Sequence, residues 1–181
     1  TFLVLVGIGK ASVEGKKAVN DFKDLTQADR ELENVKLYWH KRMEGIQVET
    51  PDKEFNSMIN TWIMYNCLVT FAWSRSASLI YTGIDRDGLG YRDTVQDLLG
   101  VFHAIPGEAR ERLELMITGQ VASGGCLPVI LPVSHNPGRE KPPAEEDYRS
   151  DDALWLFNAV PAYVSETGDI DFYRKILPYA D

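Results

Sequence analysis

The sequence predicts an all-α fold, on three observations. Strand signals are nearly absent after residue 12, apolar residues recur at three- and four-residue spacing in successive segments, and helix punctuation recurs along the chain at Thr50-Pro51, Pro106-Gly107 and Thr167-Gly168. A chain of 181 residues suffices for one domain or part of a larger one, and 44% hydrophobic with 25% charged residues is the balance of a globular protein. No fixed-period repeat is visible.

The opening TFLVLVGIG is apolar over a stretch far shorter than the roughly 20 residues needed to span a bilayer, and it lacks a basic flank. It reads as a buried strand closed by a glycine turn, with no membrane association. A short polar helix is expected from Ser12 to Leu25 and a longer one from Ala28 to Ile46. In the second, Leu32, Val35, Tyr38, Trp39, Arg42 and Met43 form one stripe. Thr50-Pro51 offers a capping hydroxyl followed by proline at the first helical position, so a helix should start near Asp52. Its residues Phe55, Met58, Ile59, Trp62, Ile63, Tyr65, Leu68, Val69, Phe71, Ala72 and Trp73 leave almost no polar face, which predicts an inner helix.

Helices are expected over Thr94–Ala104 and Glu108–Thr118, separated by the breaker Pro106-Gly107. Between Gly119 and Arg149 there is no helical period, and five of the nine prolines fall there (Pro128, Pro132, Pro137, Pro142, Pro143). Because this stretch carries the apolar CLPVILPV, an ordered, functional loop is expected rather than a bare insertion. The next helix should begin at YRSDDALWL with Ser150 as N-cap and Asp151 and Asp152 in the first turn. Its expected buried side is Leu154, Trp155, Phe157, Val160, Tyr163 and Val164, with a kink at Pro161 and an end at Thr167-Gly168. A last helix is expected over Ile170–Leu177.

The net charge of −8 excludes a broad nucleic-acid surface. Cys67 and Cys126 lack ligand or disulfide-framework spacing and read as free buried thiols in a reducing cytoplasm. His40, His103 and His135 show no metal spacing, and no metal or cofactor is expected; His135, in the long loop, is the one histidine placed to line a site. Phosphate-binding, dinucleotide and GxSxG motifs are absent.

The segment DRDGLGYRDTVQD, residues 85–97, gathers acids and arginines around Gly88 and Gly90 between two apolar stretches. Asp85, Arg86, Asp87, Arg92 and Asp93 supply directional groups suited to the hydroxyls of a pyranose, and Trp73, Tyr81 and Tyr91 could cover its apolar face. A solvated, salt-bridged loop accounts for the same composition. Asp151 and Asp152 are likewise either helix caps or ligand contacts, and adjacent positions about 100° apart on a helix do not act together on one bond.

Three blocks in order, YWHKRMEGIQVETPDKEFNSMINTWIMYN, GLGYRDTVQDLLG and YRSDDALWL…AYVSETGD, resemble the glycoside hydrolase family 94 phosphorylases. The resemblance implies the first part of an (α/α)6 barrel preceded by a helical linker and the last strand of an N-terminal β-sandwich. Residues 1–12 would end the sandwich, 13–48 form the linker and 49–181 open the barrel. It implies an inverting phosphorylase that cleaves cellobiose-type disaccharides or β-linked glucose oligosaccharides with inorganic phosphate as co-substrate, giving α-glucose 1-phosphate, in a cytoplasmic protein that forms homodimers. Asp93 and Arg86 resemble the residues that hold the non-reducing sugar, with Arg92 and Asp87 beside them. The general acid is an aspartate in a Trp-Asn-Asp block, which this chain lacks; it is expected downstream of Asp181, so the segment alone is expected to be inactive. An inverting hydrolase on the same barrel and a non-catalytic helical carbohydrate-binding domain are the alternatives.

Overall fold

The computed structural model describes residues 4, 11–74 and 88–181, which are mostly helical. The expected opening strand lies outside the described residues except for Val4, which is exposed. The chain divides into two compact units, Thr1–Glu44 and Gly45–Asp181.

In the first unit, a π-helical turn over Ala11–Gly15 runs into α1 (Lys16–Phe22), and α2 spans Leu25–Met43. The sequence placed the start of α2 later than it is, because the cap is Asp24: its carboxylate accepts from the Thr26 amide at 3.0 Å. Within α2, the Arg42 guanidinium lies 4.2 Å from the centre of the Tyr38 ring. Neither helix buries a residue, and the expected stripe of Leu32, Val35 and Tyr38 is exposed.

The second unit opens with a segment held in place by two asparagines one helical turn apart. Asn60 accepts from the Val48 amide at 2.8 Å and donates to the Val48 carbonyl at 2.9 Å, and Asn56 does the same for Thr50 at 2.9 Å each way. The helix that follows is α3 (Lys53–Ser57), a π stretch (Met58–Ile63), α4 (Met64–Val69) and a second π stretch (Thr70–Ser74). Its cap is Asp52, whose Oδ1 accepts from the amides of Glu54 and Phe55 at 3.0 Å each. Thr50 is therefore not the cap and Pro51 stays outside the helix, since a carboxylate that takes two free amides outcompetes one hydroxyl. Only Met64, Leu68 and Phe71, spaced by four and three, are buried; Phe55, Met58, Trp62, Ile63, Tyr65 and Trp73 are exposed. Among the described residues this helix buries one side.

Three helices build the core. α5 (Tyr91–Leu99) buries Tyr91, Thr94, Val95 and Leu98, α6 (Pro106–Ile117) buries Ala109, Leu113 and Met116, and α7 (Leu156–Thr167) buries Leu156, Ala159 and Tyr163. Each touches the other two. The turn between α5 and α6 adds Val101, Phe102 and Ile105; Phe102 meets Tyr163 edge to face at 5.4 Å, and Tyr163 meets Phe172 at a tilt, 4.9 Å between ring centres. Pro106 is no breaker between helices but lies in the first turn of α6, where its missing N–H costs nothing. The helix expected to reach Ala104 stops at Leu99. Its cap Gly100 sits so close to α4 that a Cβ there would lie 2.9 Å from Cys67 Sγ.

The face of α7 agrees with the expected one at Tyr163, which is buried, and differs at its start. Leu154 is 57% and Phe157 78% exposed, whereas Leu156 and Ala159 point inward. The entry to α7 is a 3-10 turn (Ala153–Trp155), whose tighter winding shifts the residues next to it off a 3.6-residue extrapolation. The end behaves as expected: Gly168 adopts φ 72° and its N–H reaches the Val164 carbonyl at 2.8 Å. In place of a last helix, a 3-10 segment covers only Ile170–Arg174.

The loop between α6 and α7 is ordered. β1 (Leu89–Gly90) and β2 (Val129–Ile130) pair antiparallel, Leu89 opposite Ile130. The His135 side chain is buried, with Nε2 3.1 Å from Thr118 Oγ1 and Nδ1 3.0 Å from Glu140 Oε1. Backbone bonds stitch the loop to the last residues: Ala180 N to Gln120 O at 2.7 Å, and the amides of Gly138 and Glu140 to Ala180 O at 2.8 Å each. No helix among the described residues is long and apolar enough to cross a membrane.

Candidate functional site

Two chain segments distant in sequence meet at the start of α5. Gly88 has φ 120°, and a Cβ there would lie 2.8 Å from the Ile130 carbonyl, so glycine lets the chain run against β2 and deliver residues 91–93. The Tyr91 amide then donates to the Pro128 carbonyl at 3.1 Å, which fixes the first residue of α5. Asp93 lies over Gly90, where a Cβ would stand 3.1 Å from its Oδ2. Arg92 reaches out to Asp151, its Nη1 lying 3.1 Å from Oδ2 and 3.3 Å from Oδ1, with both side chains part-exposed. Trp155 Nε1 approaches the same Oδ2 at 3.5 Å.

The two neighbouring aspartates face opposite surroundings. The hydrogen bond from Arg92 holds the Asp151 carboxyl below its ordinary range. Asp152 is 1% exposed, and burial pushes its carboxyl upward; the charges of Asp151 and Asp93 add to the rise, while Arg149 and Arg92 oppose it. Beneath it, burial lifts the Cys126 thiol to about 12, with Asp152 contributing, and lifts the Tyr91 phenol further, with Cys126 and Asp152 contributing. Cys126 is thus an inert thiol and no nucleophile.

Of the residues singled out from the sequence, Arg92, Asp93, Asp151 and Asp152 come together, while Arg86 and Asp87 lie outside the described residues. Asp151 and Asp152 are not caps: Asp151 is spent on Arg92, and Asp152 makes no capping hydrogen bond to the helix that follows. His135 has both ring nitrogens committed to Thr118 and Glu140. Tyr91, considered as a cover for a sugar ring, is fully buried and presents no face to solvent, and Tyr81 lies outside the described residues. No group of three or more metal-ligating side chains occurs among the described residues.

The catalytic-domain model of the glycosyl hydrolase 94 superfamily matches residues 38–181, the span that contains this whole cluster. The chain belongs to that superfamily. The family 94 chain is 36% identical over 198 aligned residues to N,N'-diacetylchitobiose phosphorylase of Vibrio furnissii, an alignment covering 99% of this chain and 24% of that protein. It is 32% identical to the cyclic beta-(1,2)-glucan synthase NdvB of Rhizobium meliloti (82% of this chain, 5% of that protein) and 29% identical to solabiose phosphorylase of Paenibacillus borealis (76% and 15%). The chain therefore spans about a quarter of the length of the Vibrio phosphorylase it matches.

Sequence reasoning missed the inner half of this cluster. Thr94 stands inside GLGYRDTVQDLLG and Arg149 inside YRSDDALWL, yet composition gives neither an inward role; the signal for Thr94 is its three-residue spacing from Tyr91 on the buried face of α5, and Cys126 reads only as a free buried thiol. Arg149 and Cys126 reach Asp152 through the long loop, where no period marks which side chains turn inward.

Proposed function

We propose that this chain is part of an inverting disaccharide phosphorylase and supplies its donor-sugar subsite. The supporting observation is the convergence of Arg92, Asp93 and Asp151 at the start of α5, a partly exposed set of planar hydrogen-bonding groups. In the reading, Asp93 accepts from hydroxyls of the non-reducing ring. Arg92 is oriented by Asp151, whose carboxylate fixes the guanidinium so that its remaining N–H groups face the sugar. Arg86 and Asp87 extend the same subsite. Phosphate attacks the anomeric carbon from the face opposite the glycosidic bond; that bond breaks, and an aspartic acid gives its proton to the departing oxygen. Phosphate is itself the nucleophile, so one carboxylic acid suffices where water would need a second as base.

The acid belongs to a Trp-Asn-Asp block outside these 181 residues, and the segment alone does not turn over substrate. The wider assignments go with this reading: residues 1–12 as the end of a β-sandwich, 13–48 as a linker, 49–181 as the opening of an (α/α)6 barrel, in a cytoplasmic homodimer. The substrate class is a β-linked disaccharide whose donor is glucose or N-acetylglucosamine. The likeness to an enzyme named for diacetylchitobiose supports N-acetylglucosamine as a candidate donor alongside glucose.

The test is phosphate dependence in the longer protein that carries this segment. Sugar 1-phosphate should form from cellobiose or diacetylchitobiose only when phosphate is present, and Asp93→Asn should abolish it while leaving the fold intact. Free sugar released without phosphate would replace this reading by hydrolysis, and saturable sugar binding without turnover by a carbohydrate-binding role.

A further inference from the structure

Three buried oxygens on the inner side of the site have no partner among the described residues: the Tyr91 hydroxyl, Thr94 Oγ1 and Asp152 Oδ1. Tyr91 is 0% exposed and Thr94 2%. They are three residues apart on α5 and share its inward face. Asp152 immediately precedes the 3-10 turn that packs on α5, near enough to Tyr91 for its charge to be felt at the phenol. Native proteins rarely leave such groups unpaired, and three in one neighbourhood point to a shared missing partner.

The surroundings specify that partner. Tyr91 and Thr94 each have a proton to give and Asp152 Oδ1 a lone pair to fill, so the partner must donate and accept at once. A cation is disfavoured by Arg149 and Arg92, whose charges already act on Asp152, and an anion by Asp93, Asp151 and Asp152 themselves. A neutral hydroxyl meets each demand. We propose that Tyr91, Thr94 and Asp152 form an inner receptor for one neutral hydroxyl, supplied by a sugar ring or by a trapped water. The sugar alternative rests on the donor-subsite reading above; the water alternative does not.

Tyr91 and Thr94 make no hydrogen bond to each other, so a hydroxyl held by both would couple the loss of their two oxygens. The experiment is a double-mutant cycle on Tyr91→Phe and Thr94→Val, each of which deletes one hydroxyl at nearly constant shape. Two quantities are read on the chain: the urea midpoint without sugar, and the affinity for glucose and N-acetylglucosamine by calorimetry. With a trapped water, each single variant lowers the midpoint and the double variant lowers it by less than the sum. With a sugar hydroxyl, midpoints stay level while affinity falls about 2- to 10-fold in each single variant and no further in the double. Effects that are neutral or simply additive in both readouts overturn the proposal. A high-resolution crystal structure tests it independently: density bridging the three oxygens supports it, and a dry contact or protein partners for all three oppose it. Lost sugar binding in Asp93→Asn combined with additive effects here would keep the functional reading and remove this one; coupled midpoints with no sugar binding would do the reverse.

Discussion

Gly119 lies where α6 ends and the long loop begins, and its missing side chain sets how closely two fully buried residues approach. A Cβ at this position would stand 2.4 Å from Ile130 Cδ1 and 3.0 Å from Tyr91 Cε2. Carbon atoms rest at about 3.5–4.0 Å, so Gly119→Ala demands a shift of more than about 1 Å from Ile130. Neither neighbour has room, since Ile130 and Tyr91 are both 0% exposed. Overpacking of this kind costs about 1–3 kcal/mol, offset by about 0.4–1 kcal/mol from the restricted unfolded chain, for a net loss of about 1–2 kcal/mol. For a chain of this size that lowers the melting temperature by roughly 2–8 °C. Ile130→Val removes the atom that clashes first, at a cost of about 0.5–1.5 kcal/mol on its own. The double variant should therefore lose about 1 kcal/mol less than the sum of the singles. Urea and thermal unfolding of the four proteins supply the measurement. A Gly119→Ala variant within about 0.5 kcal/mol of the parent, or strictly additive effects, would refute the close approach of β2, α5 and the loop.

The two aspartates should give opposite pH slopes. The folded state raises the Asp152 carboxyl above its ordinary 3.8 and so holds that proton more tightly than the unfolded chain; this contribution favours the fold at low pH and is lost as pH rises through the raised value. Asp151 is shifted down, so its contribution is present above 3.8 and disappears as pH falls below it. Asp152→Asn should flatten the first slope and Asp151→Asn the second in unfolding midpoints measured across that range, and identical profiles for both variants would contradict the inward and outward placement. Gly125→Ala sets a Cβ 2.3 Å from the Tyr148 ring and should destabilise by about 1–3 kcal/mol, relieved by Tyr148→Ala; calorimetry showing no such relief would count against the contact. His135→Phe removes the imidazole that links Thr118 to Glu140, which keep their bonds to Leu115 O and Asn136 N, and should cost about 1 kcal/mol, read as faster proteolytic nicking between residues 119 and 149.

The helices were legible wherever burial is one-sided and the winding regular. The spacing of Val95 and Leu98, or of Leu113 and Met116, announces a face without reference to anything distant. That reasoning failed where the winding changed: Phe157, just after the 3-10 entry to α7, faces outward, and two π stretches interrupt the α-helix expected after Asp52. The outer half of the site was legible as composition, because GLGYRDT concentrates directional groups between glycines. Its decisive contact was not, since Arg92 and Asp151 stand 59 residues apart and neither segment names the other. The opposite fates of Asp151 and Asp152 were hidden for a related reason: two identical residues side by side differ only in what each one meets.

The stitching of the loop to the chain's last residues bears on the order of events during synthesis. Ala122 donates to Asp181 Oδ1 across 59 residues, and Ala180 serves Gln120, Gly138 and Glu140 together. At translation rates of about 5–20 residues per second, residue 122 waits roughly 3 to 12 s after its own addition for its partner to be made. During that interval β1 and the Tyr91 amide, already made, can receive β2, yet the amides of Ala122, Gly138 and Glu140 lack the partners that close the rest of the loop. The inward setting of Cys126 on this loop should then be among the last features of the unit to form, leaving that thiol open to oxidation in the nascent chain and shielded in the finished one.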